Sequence, residues 1–522
     1  MADDARSEKT IPQETVPVPA AALSSDELPE KPVVQNVEVA AVLGNLAGEY
    51  AGVEIPAPGT AERRAIERRL VRKIDFTMLP LIVILFILNY LDRNNIAAAK
   101  LSTFVDDLKL SSTEYSCVVS IMFVSYILMQ IPSNLILARI TRPNYYLPFI
   151  MIMWGIFTTL ISKVNSFGPL IVLRILIGAF EAGFYPGVIY YLSCWYTRGE
   201  IAKRSSIFVL GSFISGAFSG FIAYGVVENL DGVGGKAAWR WLFIIEGVTT
   251  VGVGFIAIML LPSLPQNTRW LLTKEERLVG VMRLLEDVKL TEQEQDECEE
   301  GRTVVTAKQG VIMALRDPKV LNFIEILFCI AGTASINTVF PTIVESLGYT
   351  YSKTLLLTAP PWILCAITCY SNSFHSDRTQ ERFWHMVWGP ALSVVGFAIG
   401  LATTKTAPRY VAIMILLQIY NSWGVAFAWV TSTLNQPPIK RAAAIAIINI
   451  GFNLPNVFMA YLFTTGDSPK FVAGFSLCLC FAVFSMVGCV VMRFQIIRAN
   501  KRLEQGYKVD GMDGSTGFRF PY

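Results

Sequence analysis

Phe76-Thr-Met-Leu-Pro-Leu-Ile-Val-Ile-Leu-Phe-Ile-Leu-Asn-Tyr-Leu91 carries no charge, and Asp92-Arg93-Asn94-Asn95 follows it at once. The run is apolar on every side rather than alternating, which reads as a helix with no face for water. Twelve such stretches recur along the 522 residues, the first from Phe76 to Leu91 and the last from Phe471 to Met492. Several are shorter than the roughly 20 residues that cross about 30 Å of hydrocarbon, and extend through flanking, weakly polar turns. Backbone groups in lipid must be satisfied inside a helix or a closed barrel, and without alternation a barrel is excluded. With 53% hydrophobic and only 16% charged residues, one water-soluble core is excluded as well. The expected class is an all-α polytopic membrane protein.

The basic residues set an orientation. Arg63, Arg64, Arg68, Arg69, Arg72 and Lys73 precede the first stretch, and Arg139 with Arg142, Arg198 with Arg204, Arg378 with Arg382, and Lys440 with Arg441 occupy alternate later loops. The intervening loops hold fewer, such as Lys163 and Lys353, so the positive-inside rule places both termini in the cytoplasm. A charged segment rich in glutamate, including Glu292, Glu294, Glu297 and Glu299, divides six stretches from six. The expected organisation is a disordered N-tail ending in a basic stretch (1–73), a six-helix bundle (74–263), a cytoplasmic central loop (264–320), a second six-helix bundle (321–497) and a cytoplasmic C-tail (498–522). The basic stretch reads as a topology signal or a short helix on the anionic inner leaflet, and does not indicate nucleic acid. Pro132, Pro186, Pro341, Pro360, Pro361 and Pro455 predict kinks in the spans.

Several chemistries find no support. The nine cysteines lie mainly within apolar stretches as packing residues, and His375 and His385 do not complete a zinc set. No Walker A motif appears, no cofactor is implied, and no nucleophile, base and oxyanion arrangement can be assembled, so an enzyme is not expected. Gly211, Gly216, Gly220 and Gly225 in the fifth stretch suggest close helix packing.

The second charged run is Arg174-Ile-Leu-Ile-Gly178-Ala-Phe-Glu181. A charge at mid-bilayer costs about 2.5 to 3.5 kcal/mol on insertion scales, so intramembrane charges usually line a substrate or proton path. Arg174 and Glu181 are two helical turns apart and share a face. If the first helix continues to about Leu101 at the outer surface, depth places Asp92 ~13 Å and Arg174 ~10 Å below it, so these two could meet. Arg93 or Arg174 offers a planar fork for a carboxylate, and Asp92 and Glu181 offer sites for a proton. The alternative is a static ion-pair cluster that holds two helices together.

Tyr90-Leu-Asp92-Arg93-Asn94-Asn95-Ile96, Ile131-Pro132-Ser133-Asn134, Arg174 through Gly178, Glu181-Ala-Gly-Phe-Tyr-Pro186, Tyr191-Leu-Ser193-Cys-Trp195-Tyr196 and Trp239-Arg240-Trp241-Leu-Phe-Ile-Ile-Glu246-Gly247 together resemble the major facilitator superfamily, and within it the fungal allantoate permease group of the anion:cation symporters. The resemblance covers roughly Arg72 to Arg498, and the ending Gly517-Phe518-Arg519-Phe520 is also similar. It implies twelve helices in two pseudo-symmetric six-helix bundles, alternating access, and uptake of a small organic anion (a carboxylate, vitamin or ureide) together with protons. By position, Asp92 and Glu181 match the group's proton-coupling carboxylates, Arg93 its anion-binding arginine and Arg174 the arginine that pairs with the acids. The loop after the second helix has Ala138 where the superfamily carries an acid, while Arg139 and Arg142 remain and Asp377-Arg378 keeps both charges in the second half, so these four are the expected cytoplasmic gate. Asn95-Ile-Ala-Ala-Ala departs from the group's usual Gly-Asn-Ala.

Tyr90 joins Arg93 and Arg174 as a substrate residue, and Asn337, Phe340, Tyr420, Asn421, Asn449 and Asn453 are the candidates from the second half. Asn449 and Asn453, one turn apart, are expected to act together. Glu246 and Glu325 are set aside as acids near helix ends, where water is within reach. Uptake by a monomer in the plasma membrane leads; the alternatives are export of a fungal metabolite on the same fold and a non-transporting nutrient sensor.

Overall fold

The structure is a computed structural model that describes residues 55–521 except 138, 139, 141, 300–306, 435–437, 464–467, 469, 508 and 510–518. The N-tail to residue 54 and Arg139 lie outside the described residues. Among the described residues there are twelve helices long and apolar enough to cross a membrane, and no strand. They are α1 Ala61–Ala99, α2 Ser112–Ser133, α3 Pro143–Ile161, α4 Phe167–Ser193, α5 Ile207–Leu230 and α6 Ala238–Leu260, then α7 Pro318–Glu345, α8 Tyr351–Thr379, α9 Phe383–Ala402, α10 Thr406–Thr433, α11 Lys440–Leu462 and α12 Val472–Glu504. An even number of spans puts the start of α1 and the end of α12 on one side, called here the terminal face.

Packing reveals the repeat that sequence identity does not. In the first half α1 packs on α5, α2 on α4, α3 on α6 and α1 on α6; adding six to each number gives α7 on α11, α8 on α10, α9 on α12 and α7 on α12, and all four are present. The contacts between halves obey the same rule, since α5 packs on α8 and α2 on α11. The α5–α8 seam depends on small residues: a β-carbon on Gly216 would lie 2.5 Å from the Trp362 indole, and one on Gly220 would lie 2.6 Å from the Leu355 carbonyl oxygen. Only a residue without a side chain fits there.

Four spans are interrupted where the site forms. α4 breaks at Ala182-Gly183 before Pro186, α7 runs as a 3-10 segment over Ser335–Val339 before Pro341, and α11 breaks at Leu454 before Pro455. α10 changes to a 3-10 turn over Leu417–Tyr420 without any proline. Pro132, Pro360 and Pro361 instead sit inside continuous helices, so a proline alone does not mark a break.

The basic stretch has a role that its composition did not suggest. Residues Ala61–Thr77 form a helix that leads into the first span, started by Thr60, whose side chain accepts from the Arg63 amide. Arg63 is buried and reaches Glu67 at 2.9 Å and Glu286 at 3.3 Å, while Lys73 meets Glu276 at 2.6 Å. Glu276 and Glu286 belong to a helix, Lys274–Glu299, in the segment between the halves. Through these pairs that helix docks on the first half.

Candidate functional site

Between the two halves lies a cavity with about 100 Å³ of space for solvent, enough for several waters or a small solute. Its wall takes Tyr90, Arg93, Asn94, Arg174, Ser212 and Phe213 from the first half. Asn337, Trp362, Tyr420, Trp423, Phe452, Asn453 and Asn456 complete it from the second. The halves are bonded to each other on the side away from the terminal face. Asn337 Nδ2 donates to Asn94 Oδ1 at 3.0 Å, Ser116 Oγ to the Ala460 carbonyl at 3.1 Å, Tyr351 OH to the Ala98 carbonyl at 3.4 Å and Ser352 Oγ to Glu228 at 2.8 Å.

The buried charges pair differently from what depth alone suggests. Arg93 Nε donates to Glu181 Oε2 at 2.7 Å, and its guanidinium lies 5.4 Å from the Tyr90 ring centre and 4.8 Å from that of Tyr126. Glu181 is completely buried, and its other oxygen faces the Asn89 amide without a hydrogen bond of ordinary geometry. Arg174 is 1% exposed; its Nε donates to the Val118 carbonyl at 3.2 Å while Nη1 has no partner. Asp92 does not pair with Arg174. Its Oδ2 accepts from Trp154 Nε1 at 3.0 Å and Thr250 Oγ1 at 3.2 Å, and Oδ1 has no partner. Neighbours on a helix point about 100° apart, so when Arg93 faces the cavity Asp92 turns toward α3 and α6.

That leaves a cation wall with spare capacity. A buried donor without a partner costs about 1 to 3 kcal/mol, and Arg174, one of the residues that line the cavity, holds such a donor in Nη1. Its planar fork suits a carboxylate, and Arg93 could add a second fork only by loosening its hold on Glu181.

The second half supplies shape. Trp362 and Tyr420 rings are 5.2 Å apart, Tyr420 and Trp423 5.9 Å, and Trp423 and Phe452 5.3 Å, with Tyr90 reaching Trp423 across the cavity at 6.5 Å. Tyr420 OH donates to the Ala334 carbonyl at 2.9 Å. Tyr420 and Trp423 are three residues apart and share a face, which turns Asn421 away: its Nδ2 donates to Gln418 Oε1 at 2.8 Å and its oxygen accepts from Thr368 at 3.1 Å. Asn453 lines the cavity and donates to the Asn449 carbonyl at 2.9 Å. Asn449 sits one turn nearer the terminal face and is not on the lining; Asn456, which receives a bond from Ser335 at 3.1 Å, is the amide that accompanies Asn453 there. Phe340 lines a second, narrower pocket with Asn94 and Thr358.

At the terminal face Arg142 is exposed at the start of α3. Asp377 pairs with Arg382 at 2.7 Å rather than with its neighbour Arg378, which is exposed. The residues that sequence reasoning passed over are Asn94, Trp362, Trp423, Phe452 and Asn456. Trp423 had a signal, the three-residue spacing from Tyr420; Trp362 and Phe452 look like any aromatic in a membrane helix.

The Major Facilitator Superfamily model matches residues 82–460. A protein of Penicillium expansum named MFS-type transporter cnsO is 33% identical over 453 residues, which is 84% of this chain and 85% of that protein. A protein of Agrobacterium vitis whose name proposes tartrate as its cargo is 32% identical over 392 residues, 74% of this chain and 83% of its own. The proton:xylose symporter XylE, solved with a bromodeoxyglucose, has the same fold, with a TM-score of 0.62 at 14% identity over 80% of this chain and 96% of that one. The six-helix repeat, the cavity between its halves and a family match across most of the spans agree: the chain belongs to the major facilitator superfamily, whose members are membrane transporters and not enzymes.

Proposed function

We propose that the protein imports a small organic anion, one carboxylate-bearing solute at a time, coupled to protons and by alternating access. The observation that carries this reading is the Arg93–Glu181 pair at 2.7 Å on the wall of the cavity, beside Arg174 with an unpartnered Nη1. An anion needs both forks. Glu181 competes with it for Arg93, so a proton on Glu181 releases the guanidinium to the anion, and loss of that proton after discharge restores the pair. Anion and proton then travel together for an electrostatic reason. The aromatic and amide wall of the second half sets the size and shape of the solute. Tartrate, the cargo proposed for the Agrobacterium vitis relative, is a small carboxylate of the kind such a wall can hold.

The four bonds across the side away from the termini support closure of one access route in this state, and the seam at Gly216 and Gly220 serves as the surface on which the halves rock. The positive-inside asymmetry supports a terminal face in the cytoplasm, and a plasma-membrane location and a functional monomer complete the proposal. Radiolabelled uptake of a carboxylate panel in a host without its own permeases tests it. Accumulation should rise as external pH falls and collapse with a protonophore. Uptake that ignores pH, with efflux of metabolites from loaded cells, would replace import by export.

A further inference from the structure

The motif Trp239-Arg240-Trp241-Leu-Phe-Ile-Ile-Glu246 ends on an acid that the cavity does not use. Its first members have outer-side duties: Trp239 Nε1 donates to Asp107 at 2.7 Å, and Arg240 Nη1 to the Ser162 carbonyl at 2.6 Å. Glu246 lies deeper and is 2% exposed, among α1, α3 and α6. Its carboxyl lies against the Asn95 amide and within electrostatic reach of Asp92, yet neither oxygen meets a hydrogen bond of ordinary geometry. No cation is among its charged neighbours.

Two levels of a ladder join α1 to α6. Thr250 of α6 bonds Asp92 of α1 at 3.2 Å, and one turn further from the terminal face Glu246 faces Asn95. α3 contributes to both levels, since Trp154 bonds Asp92 and Thr158, four residues on, is buried with its hydroxyl unpartnered. Asp92 Oδ1, Asn95 Oδ1 and Nδ2, Thr158 Oγ1 and both Glu246 oxygens are buried polar atoms without a hydrogen bond of ordinary geometry, carried by the packed helices α1, α3 and α6. Buried polar atoms are nearly always satisfied, so these call for a proton or a water between the acids. The ionisable groups that face this pocket are few: Glu246 has Asp92, and Asp92 has Glu246, Glu181 and Arg174.

Glu246 has no cation among its charged neighbours and Asp92 shares Arg174 with Glu181, so two carboxylates buried this deeply cannot both stay ionised. We propose that Glu246 shares a proton with Asp92, so that the two acids act as one proton-binding unit set behind the Arg93–Glu181 pair. A proton that reaches Asp92 can pass to the Glu246 carboxylate, one acid losing what the other gains, and the net charge of the pair changes by one per cycle. This rests on the proton-coupled reading above and names a further acid in it. It also distinguishes two tasks, with Glu181 competing for the anion's arginine and the Asp92–Glu246 pair storing the proton.

The experiment compares wild type with Glu246→Gln for accumulation and for substrate exchange, each across a range of external pH. Exchange needs no net proton movement and reports that the variant is folded. The expected result is intact exchange with a pH midpoint for accumulation moved to the acid side by roughly one unit or more, because Asp92 loses a negative neighbour. An acid that merely stays neutral in the fold would be silent when replaced by its neutral isostere. A wild-type pH profile in exchange-competent Glu246→Gln thus overturns the sharing. If Glu246→Gln does not reach the membrane, Asn95→Ala decides by the same measurement: a moved midpoint supports the unit, and an unmoved one overturns it. Should wild type itself ignore the proton gradient, proton coupling falls and takes this inference with it, which is a distinct result from a gradient-driven wild type matched by its variant.

Discussion

The two halves share one helix plan but furnish opposite walls. The first half puts Arg93, Arg174, Glu181, Asp92 and Glu246 in its interior, on the three helices α1, α4 and α6. The second lines the same cavity with Asn337, Trp362, Tyr420, Trp423, Phe452, Asn453 and Asn456 and contributes no charged side chain to that lining. A duplicated scaffold has thus divided the work. One copy carries the charge, and the other offers rings and amides whose charge does not change with pH; in the proposed cycle the first answers to a proton and the second to the shape of the solute.

The strongest way to break that division is to remove its central cation. Arg93→Ala leaves Glu181 buried without its ion pair, a loss of about 3 to 5 kcal/mol, and uptake should fall by roughly 100-fold or more. Arg93→Lys keeps the charge but not the fork, and most of the affinity should still be lost in a concentration series of initial rates. Unchanged affinity in Arg93→Lys would transfer the anion to Arg174.

Next in size is Glu181→Gln, which imitates the protonated acid. It should exchange substrate across the membrane yet fail to concentrate it, while Asp92→Asn should also lose concentration, with its hydrogen bonds to Trp154 and Thr250 weakened. Vesicles with an imposed pH gradient measure both. Uphill accumulation by Glu181→Gln that still follows the gradient removes Glu181 from the coupling.

The second half is tested by Trp423→Ala. Losing ring contacts with Tyr420, Phe452 and Tyr90 should cost about 1 kcal/mol, a five- to tenfold weaker apparent affinity, with an altered ranking of substrates. Its pH profile should match wild type. A displaced pH midpoint would show that the aromatic wall also governs the proton, and the comparison drawn above would fail.

Least affected should be Asp377→Asn. Asp377 is 63% exposed, so its 2.7 Å bond to the buried Arg382 is screened by water, and melting of the purified protein should change by less than about 1 kcal/mol.

Much of this was legible in the sequence for plain physical reasons. Apolar runs with no polar face dictate spanning helices, and charges inside them are costly, so Asp92, Arg93, Arg174 and Glu181 stood out as candidates, and the structure places all four inside the first half. Which acid meets which arginine did not. Depth along a helix brings Asp92 and Arg174 to one level, but rotation about the axis decides the contact, and rotation was unknown until Arg93 was seen facing Glu181. The same limit hid Asn456 and favoured Asn421. The break in α10 at Leu417–Tyr420 has no proline to announce it, and the docking of Arg63 and Lys73 onto Glu286 and Glu276 depends on a helix far along the chain.

The seam between α5 and α8 has an evolutionary consequence. Because Trp362 occupies the space that a side chain on Gly216 would need, and the Leu355 carbonyl oxygen the space above Gly220, neither half is free to drift alone at these positions. A larger residue on α5 is admissible only in a lineage that has already trimmed α8. The indole and the glycine should be inherited as a pair, so two halves that began as copies are now bound to a common history along one line of contact.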